Sequence, residues 1–164
     1  MTGTLHRRPE GEADAAFLFA LFSAVQGGPL VGLDPPLRDL LLRQGFAGQH
    51  LTYRARYPGA RFEVVEQAGT AIGRIVTDRG ANGLTLVDLA LLPAWRGHGL
   101  GTRLIVETMD AARDAGLPLR LSVSADNAQA RRLYARLGFV PKVPERAGDL
   151  HLELAWAPPD AGAS

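Results

Sequence analysis

Three glycines and an arginine crowd into "RGHGLG", at Arg96–Gly101, where an apolar stretch gives way to a helical pattern. Glycine inside a helix costs about 0.5–1 kcal/mol against alanine, so its repetition here needs a reason. At a helix start the free backbone N–H groups and the helix dipole favour an anion. Glycines let the backbone close around phosphate oxygens, and Arg96 can add charge-assisted hydrogen bonds. A tight strand-to-helix turn without any ligand would use the same residues. Two common phosphate loops fail on spacing. A Walker loop ends in Gly-Lys-Ser/Thr, whereas Gly101 is followed by Thr102 and Arg103, and G-x-G-x-x-G would need a glycine where Thr102 stands.

A second chemical feature is Asp88, an acid inside the apolar run "LTLVDLALL" at 84–92. A buried charge is expensive unless paired. Asp88 therefore reads either as a general base, acting directly or through water, or as a structural carboxylate tied to backbone amides or an arginine. Asn127 stands just before the helical run 128–137, where asparagine makes a good N-cap. Tyr134, in that run, reads as a core aromatic beside Leu133 and Leu137. Phe46, His50, Tyr53 and Tyr57 recur at helical spacing and form one stripe. They either pack on a neighbouring element or a second subunit, or wall an acceptor pocket with His50 and Tyr53 as its polar contacts. Leu37, Leu40, Leu41, Ala47, Leu51 and Ala55 form the opposite stripe, expected to be the core face.

These residues need a scaffold, and 164 residues suffice for one domain with a sizeable core. We read a single domain over 1–157 and a loose tail over 158–164. Net charge is +1 with acids and bases interleaved, which argues against a nucleic-acid surface built on bulk charge. The absence of cysteine excludes disulfides and thiolate chemistry, and the four histidines lack the spacing that brings two ligands onto one helical face, so no metal is expected. No run reaches the length of a membrane span. "HRR" before "AAFLFALFSAV" loosely mimics a leader, but Glu10, Glu12 and Asp14 intervene. That stretch reads instead as a first helix with acids in its first turn, favouring the positive helix end, and a cytoplasmic protein is expected.

Strands are expected near 5–8, over 61–67, 70–78, 84–92 and 119–125, at "FVP", and over 150–156. Helices are expected over about 14–25, 35–57, 99–115 and 128–137. Ala68-Gly69 suits a hairpin, Asp34-Pro35 a helix start and Gly138 a helix end. The order describes a mixed α/β sheet with hairpins and helical crossovers.

The pattern Arg/Gln-x-x-Gly-x-Gly/Ala at 96–101 resembles the signature of the GNAT superfamily of N-acetyltransferases. The likeness begins at "VDLALLPAWRGHGLG" (87–101) and resumes at "NAQARRLYARLGF" (127–139), which is similar to that family's N-x-x-A-x-x-L-Y-x-x-x-G-F. It covers about 84–140; the flanks agree only in element order. The resemblance implies a mostly antiparallel mixed sheet flanked by helices, with acetyl-CoA held where strand 84–92 splays from strand 119–125. It implies that Arg96, Gly97, His98, Gly99, Leu100 and Gly101 bind the pyrophosphate through backbone amides. Leu89, Ala90 and Leu91 would carry the pantetheine arm, Asn127 would touch that arm, and Tyr134 would be the general acid. Some relatives that acetylate ribosomal proteins carry a glutamate five residues before the asparagine. Here that position is Ser122, so the base is not supplied there. The implied activity is direct acetyl transfer to a primary amine of a small molecule or peptide, by a monomer or homodimer without nucleic-acid or membrane partners. The alternative is a non-catalytic acyl-CoA-binding or interaction module of the same fold.

Overall fold

The computed structural model describes residues 3–159. Residues 160–164, most of the expected tail, lie outside the described residues. The elements run β1 (Leu5–Pro9), α1 (Ala15–Gln26), α2 (Pro35–Arg56), β2 (Arg61–Gln67), β3 (Thr70–Gly80), β4 (Gly83–Leu91), α3 (Leu100–Ala115), β5 (Leu119–Ser124), α4 (Ala128–Leu137), β6 (Val140–Pro141) and β7 (His151–Trp156). Three 3-10 turns, at Glu12–Asp14, Gly28–Leu30 and Pro93–Trp95, fall where the sequence suggested only loop or helix start.

The strands form a seven-stranded sheet in the order β1-β2-β3-β4-β5-β7-β6. β1 pairs antiparallel with β2, from Leu5 opposite Gln67 to Pro9 opposite Glu63. The β2–β3 hairpin turns on Ala68 and Gly69, both at positive φ (51° and 81°), as a tight two-residue turn between right-twisted strands requires. The β4–β5 pair is parallel, Leu84 to Leu86 opposite Leu119 to Leu121, because α3 carries the chain back between them. β7 pairs antiparallel with both β5 and β6. The near-continuous apolar run of β4 matches its central place in the order.

The chain divides into two compact units. The first comprises residues up to Val76 together with Asp88–Gly101. Its core holds Leu18, Leu21, Leu42, Phe62, Val64, Val65, Ile72, Ile75 and Leu91. The second comprises Thr77–Val87 and the chain from Thr102 onward. Its core holds Leu86, Leu104, Ile105, Met109, Ala112, Leu119, Leu121, Phe139 and Trp156. Among the described residues no helix is long and apolar enough to cross a membrane.

No acid stands in the first turn of α1, and the Asp14 side chain at its N-cap makes no capping bond to it. Asp14 is buried and takes two hydrogen bonds from Arg8, at 2.9 and 2.7 Å, and one from the Gly11 N–H at 2.8 Å. Those bonds, the guanidinium's above all, hold its carboxyl down at about 2. Specific pairing in a buried place outweighs the diffuse field of a helix end.

Candidate active site

In the first unit, β4 ends at Leu91 and a 3-10 turn at Pro93–Trp95 delivers the chain to Arg96. Gly97 and Gly99 both lie at φ +77°, the left-handed region where a side chain is strained. A Cβ at either would meet no atom within 4 Å, so both backbones face open space. Gly101 differs: it stands in α3, and a Cβ there would make an ordinary 3.8 Å contact with Leu91 Cδ1. Arg96 Nε donates to the Leu91 carbonyl at 2.9 Å, which staples the turn to the strand end and leaves the rest of the guanidinium for other partners.

The strand carrying Leu89, Ala90 and Leu91 has an unexpected support. A Cβ on Gly73 of β3 would overlap the Ala90 carbonyl oxygen and lie 2.6 Å from Leu91 Cδ2. Only glycine permits this approach. The signal was present in the sequence as an isolated glycine inside a strand pattern, a mark of close backbone approach.

Asp88 lies on β4 with its side chain 24% exposed. Burial pushes its carboxyl above the ordinary range, against the pull of the Arg74 guanidinium and the Leu89 N–H. Arg74 of β3 is buried, with Nε 3.9 Å from Asp88 Oδ2 and 3.7 Å from Glu10 Oε2. Its guanidinium carbon lies 5.7 Å from the Tyr53 ring centre and 5.5 Å from that of Phe62. A cavity of about 30 Å³ opens beside Asp88, Arg74, Gln49 and Ala90, walled by Leu18, Leu21, Phe22 and Val25. That is room for a water or an ammonium-sized group. Arg74 and Glu10 escaped the sequence reading, although an arginine inside the apolar pattern "AIGRIV" carried the same signal as Asp88.

The faces of α2 are the reverse of those expected. Leu37, Leu40, Leu41 and Leu51 are exposed, Leu51 by 70%, while Leu42 is buried. Phe46, His50, Tyr53 and Tyr57 are half-buried and face inward. Phe46 packs on Phe19 and Phe22 of α1, both at 5.7 Å between ring centres, and Gly45 leaves space for the Phe22 ring. Periodicity marks two apolar stripes but not which one turns inward; the aromatic one wins because rings on α1 and Phe62 on β2 are there to meet it.

The two acceptor candidates on α2 part company. His50 lines a groove of about 640 Å³ with Leu18, Phe46, Leu51, Glu10 and Glu12, but its Nε2 accepts a 2.7 Å hydrogen bond from Arg54. Burial and then the Arg54 charge lower its pKa, so the ring is neutral. Tyr53 instead faces Arg74, and burial together with the Asp88 charge raises its hydroxyl to about 12.

In the second unit, Asn127 caps α4: its Oδ1 accepts from the Ala130 N–H at 3.1 Å, which leaves its amide N–H groups to donate elsewhere. α4 ends at Gly138, φ +99°, in a left-handed cap. Tyr134 stands half-buried on that helix, edge-on to Phe139 at 5.5 Å. Burial raises its pKa, so the phenol keeps its proton at neutral pH.

The comparison with known proteins agrees with this architecture. The acetyltransferase (GNAT) family model matches residues 34–139, and the chain belongs to that family, whose members use acetyl-CoA. It is 33% identical over 91 residues to a mycothiol acetyltransferase of Sanguibacter keddieii, covering 56% of this chain and 28% of that protein. It is 33% identical over 86 residues to N-alpha-acetyltransferase 40 of Saccharomyces cerevisiae, covering 48% of this chain and 30% of that protein. The matched stretches thus span less than a third of these curated relatives. In fold, the chain is similar to the PaiA N-acetyltransferase of Thermoplasma acidophilum in complex with coenzyme A, with a TM-score of 0.68, 17% identity, and coverage of 94% of this chain and 99% of that one.

Proposed function

We propose that this protein is an acetyl-CoA-dependent N-acetyltransferase that moves an acetyl group directly to a primary amine of a small molecule or peptide. The observation that carries the reading is the Arg96–Gly101 turn: two left-handed glycines with open faces, directly before α3 and stapled to the end of β4. Backbone N–H groups at a helix start suit a pyrophosphate, and the missing Cβ atoms let it approach. Leu89, Ala90 and Leu91 would line the pantetheine arm, with an amide near Leu91 stabilising the developing oxyanion. The family resemblance gives Asn127 a contact with the cofactor, and its capping bond leaves the amide N–H groups free for one.

The acceptor poses a protonation problem. An amine of pKa about 10.4 is only about one part in a thousand neutral at pH 7. Asp88 is our candidate base. Its raised pKa makes it a better proton acceptor than an exposed aspartate, and the adjoining small cavity suits an ammonium. Tyr134 is the candidate acid, giving its proton to the departing thiolate.

Acetyl-CoA should bind and stabilise the protein by about 2.7 kcal/mol at a hundred times its dissociation constant. For a chain of this size that is roughly 5–11 °C in melting temperature. Titration calorimetry with acetyl-CoA tests binding, and turnover on a panel of amino acids, polyamines, aminoglycosides and tripeptides tests transfer. No heat of binding sinks the cofactor reading; binding without turnover on any amine favours an acyl-CoA-binding module instead.

A further inference from the structure

One buried cation serves two carboxylates beside β4. Arg74 is 4% exposed, and its Nε lies 3.7 Å from Glu10 Oε2 and 3.9 Å from Asp88 Oδ2. Both are ion-pair separations and both are too long for hydrogen bonds. Among the described residues, Arg74 Nε and Nη2 and Glu10 Oε2 have no hydrogen-bond partner. The Phe62 and Tyr53 ring centres lie 5.5 and 5.7 Å from the guanidinium carbon. A single Nε–H points at one carboxylate at a time, and a firmer hold on Glu10 is a weaker hold on Asp88.

The other charged and titratable groups here are few. From α2, Arg54 Nη2 lies 3.7 Å from Glu10 Oε1, His50 is neutral against Arg54, and Tyr53 keeps its proton. From β4 itself, the Leu89 N–H bonds the Asp88 carboxylate. Arg54 is half-exposed, at 53%, whereas Glu10 is 6% exposed. The strongest lever on Asp88 after its burial is therefore the guanidinium that Glu10 shares.

We infer that Glu10 is a positioning residue for the transfer reaction: by competing for Arg74 Nε it sets how tightly the Asp88 carboxylate is held, and so how readily Asp88 takes the acceptor's proton. The inference rests on Asp88 being the base. In the step itself, a proton passes from the acceptor's ammonium nitrogen to an Asp88 oxygen, freeing the nitrogen lone pair to attack the acetyl carbonyl. Glu10 and Arg74 exchange no proton; they act through charge. A charge within about 4–6 Å moves a carboxyl pKa by 1–3 units, so a shared guanidinium leaves room for tuning of about one unit.

The first measurement needs no acceptor. Carboxyl ¹³C NMR of aspartate-labelled protein, with the Asp88 signal assigned by its loss in Asp88→Asn, gives the Asp88 midpoint in each variant. Glu10→Gln releases Arg74 to Asp88 and should lower the midpoint by about one pH unit. Arg54→Gln leaves Glu10 leaning on Arg74 alone and should raise it. Opposite signs from two neighbours are not the mark of a general loosening. Arg54 is exposed enough that its variant will fold and decide the matter if Glu10→Gln does not. A Glu10→Gln midpoint that stays put or rises, or an Arg54→Gln midpoint that falls or stays put, overturns the coupling. In parallel, the acidic limb of the kcat/KM profile, on the panel amine that turns over fastest, should follow the midpoint. A midpoint that moves while the limb stays still overturns Asp88 as base and leaves the coupling standing.

Discussion

At the scale of single residues, Asp88 and Tyr134 invite opposite experiments. Ionising Asp88 carries a cost, because burial raises its pKa over the pull of Arg74. A carboxyl whose folded pKa exceeds its unfolded value loses stability as pH rises from the unfolded value through the folded one. Asp88→Asn removes that cost, so at pH 7 the variant should melt no lower than the parent while turnover collapses. A purely structural carboxylate would give the reverse, a lower melting temperature with turnover kept. Tyr134→Phe retains the edge-on contact with Phe139 and deletes only the hydroxyl. General acid catalysis is worth about 10²–10⁴-fold, so kcat should fall by that order while acetyl-CoA affinity holds within a few-fold. The loss should shrink with an acyl donor whose thiol is more acidic. Near-normal kcat would return Tyr134 to the role of a packing aromatic.

At the scale of elements, the glycines around β4 are not equivalent. Gly73→Ala would drive a methyl against the Ala90 carbonyl and Leu91. Overpacking of this kind costs about 1–3 kcal/mol, and here it would also displace the strand that we assign to the pantetheine arm. Gly99→Ala keeps the space but strains the left-handed backbone, at about 1–2 kcal/mol. Gly101→Ala should be close to neutral, since helical backbone and a 3.8 Å contact tolerate it. Urea denaturation and acetyl-CoA calorimetry on the three variants should therefore rank Gly101→Ala mildest in both readouts. The conformational demand belongs to Gly97 and Gly99, so the last glycine of the signature is the one open to alanine.

At the scale of the whole molecule, the response to acid should be governed early by the pair that anchors β1 to the start of α1. Asp14 has its folded pKa lowered to about 2 from an ordinary 3.8. A lowered acid contributes stability that is complete above the unfolded value and drains away as pH falls through the folded one. The loss attached to Asp14 should thus run from about pH 4 down to about pH 2. Asp14→Asn should cost about 1.5–3 kcal/mol at pH 7, the range for hydrogen bonds to charged groups. It should also flatten the dependence of melting temperature on pH across that window. An unchanged acid profile would place the contribution of Arg8–Asp14 near that of an exposed pair.

Much of this architecture could be read from residue order alone. Hydrophobic period, turn glycines and prolines act locally, which is why the hairpin at Ala68-Gly69, the Asn127 cap and the Gly138 stop stood out in the sequence. The left-handed glycines of the turn were readable for the same reason: a helix start and the conformation of glycine are local facts. What lay beyond the sequence was every choice between two locally equal options. Both stripes of α2 carry large nonpolar groups, the aromatic one being partly polar, and only the rings of Phe19, Phe22 and Phe62 decide that it turns inward. Glu10, Glu12 and Asp14 are three similar acids at alternate positions, and only the arginines brought up on β1, β3 and α2 set Glu10 and Asp14 apart. Asp88 left two readings open in the sequence because its pKa depends on groups far away along the chain. The tertiary structure supplies them as Arg74 from β3 and Glu10 from just past the end of β1, since burial and charge are properties of neighbours in space.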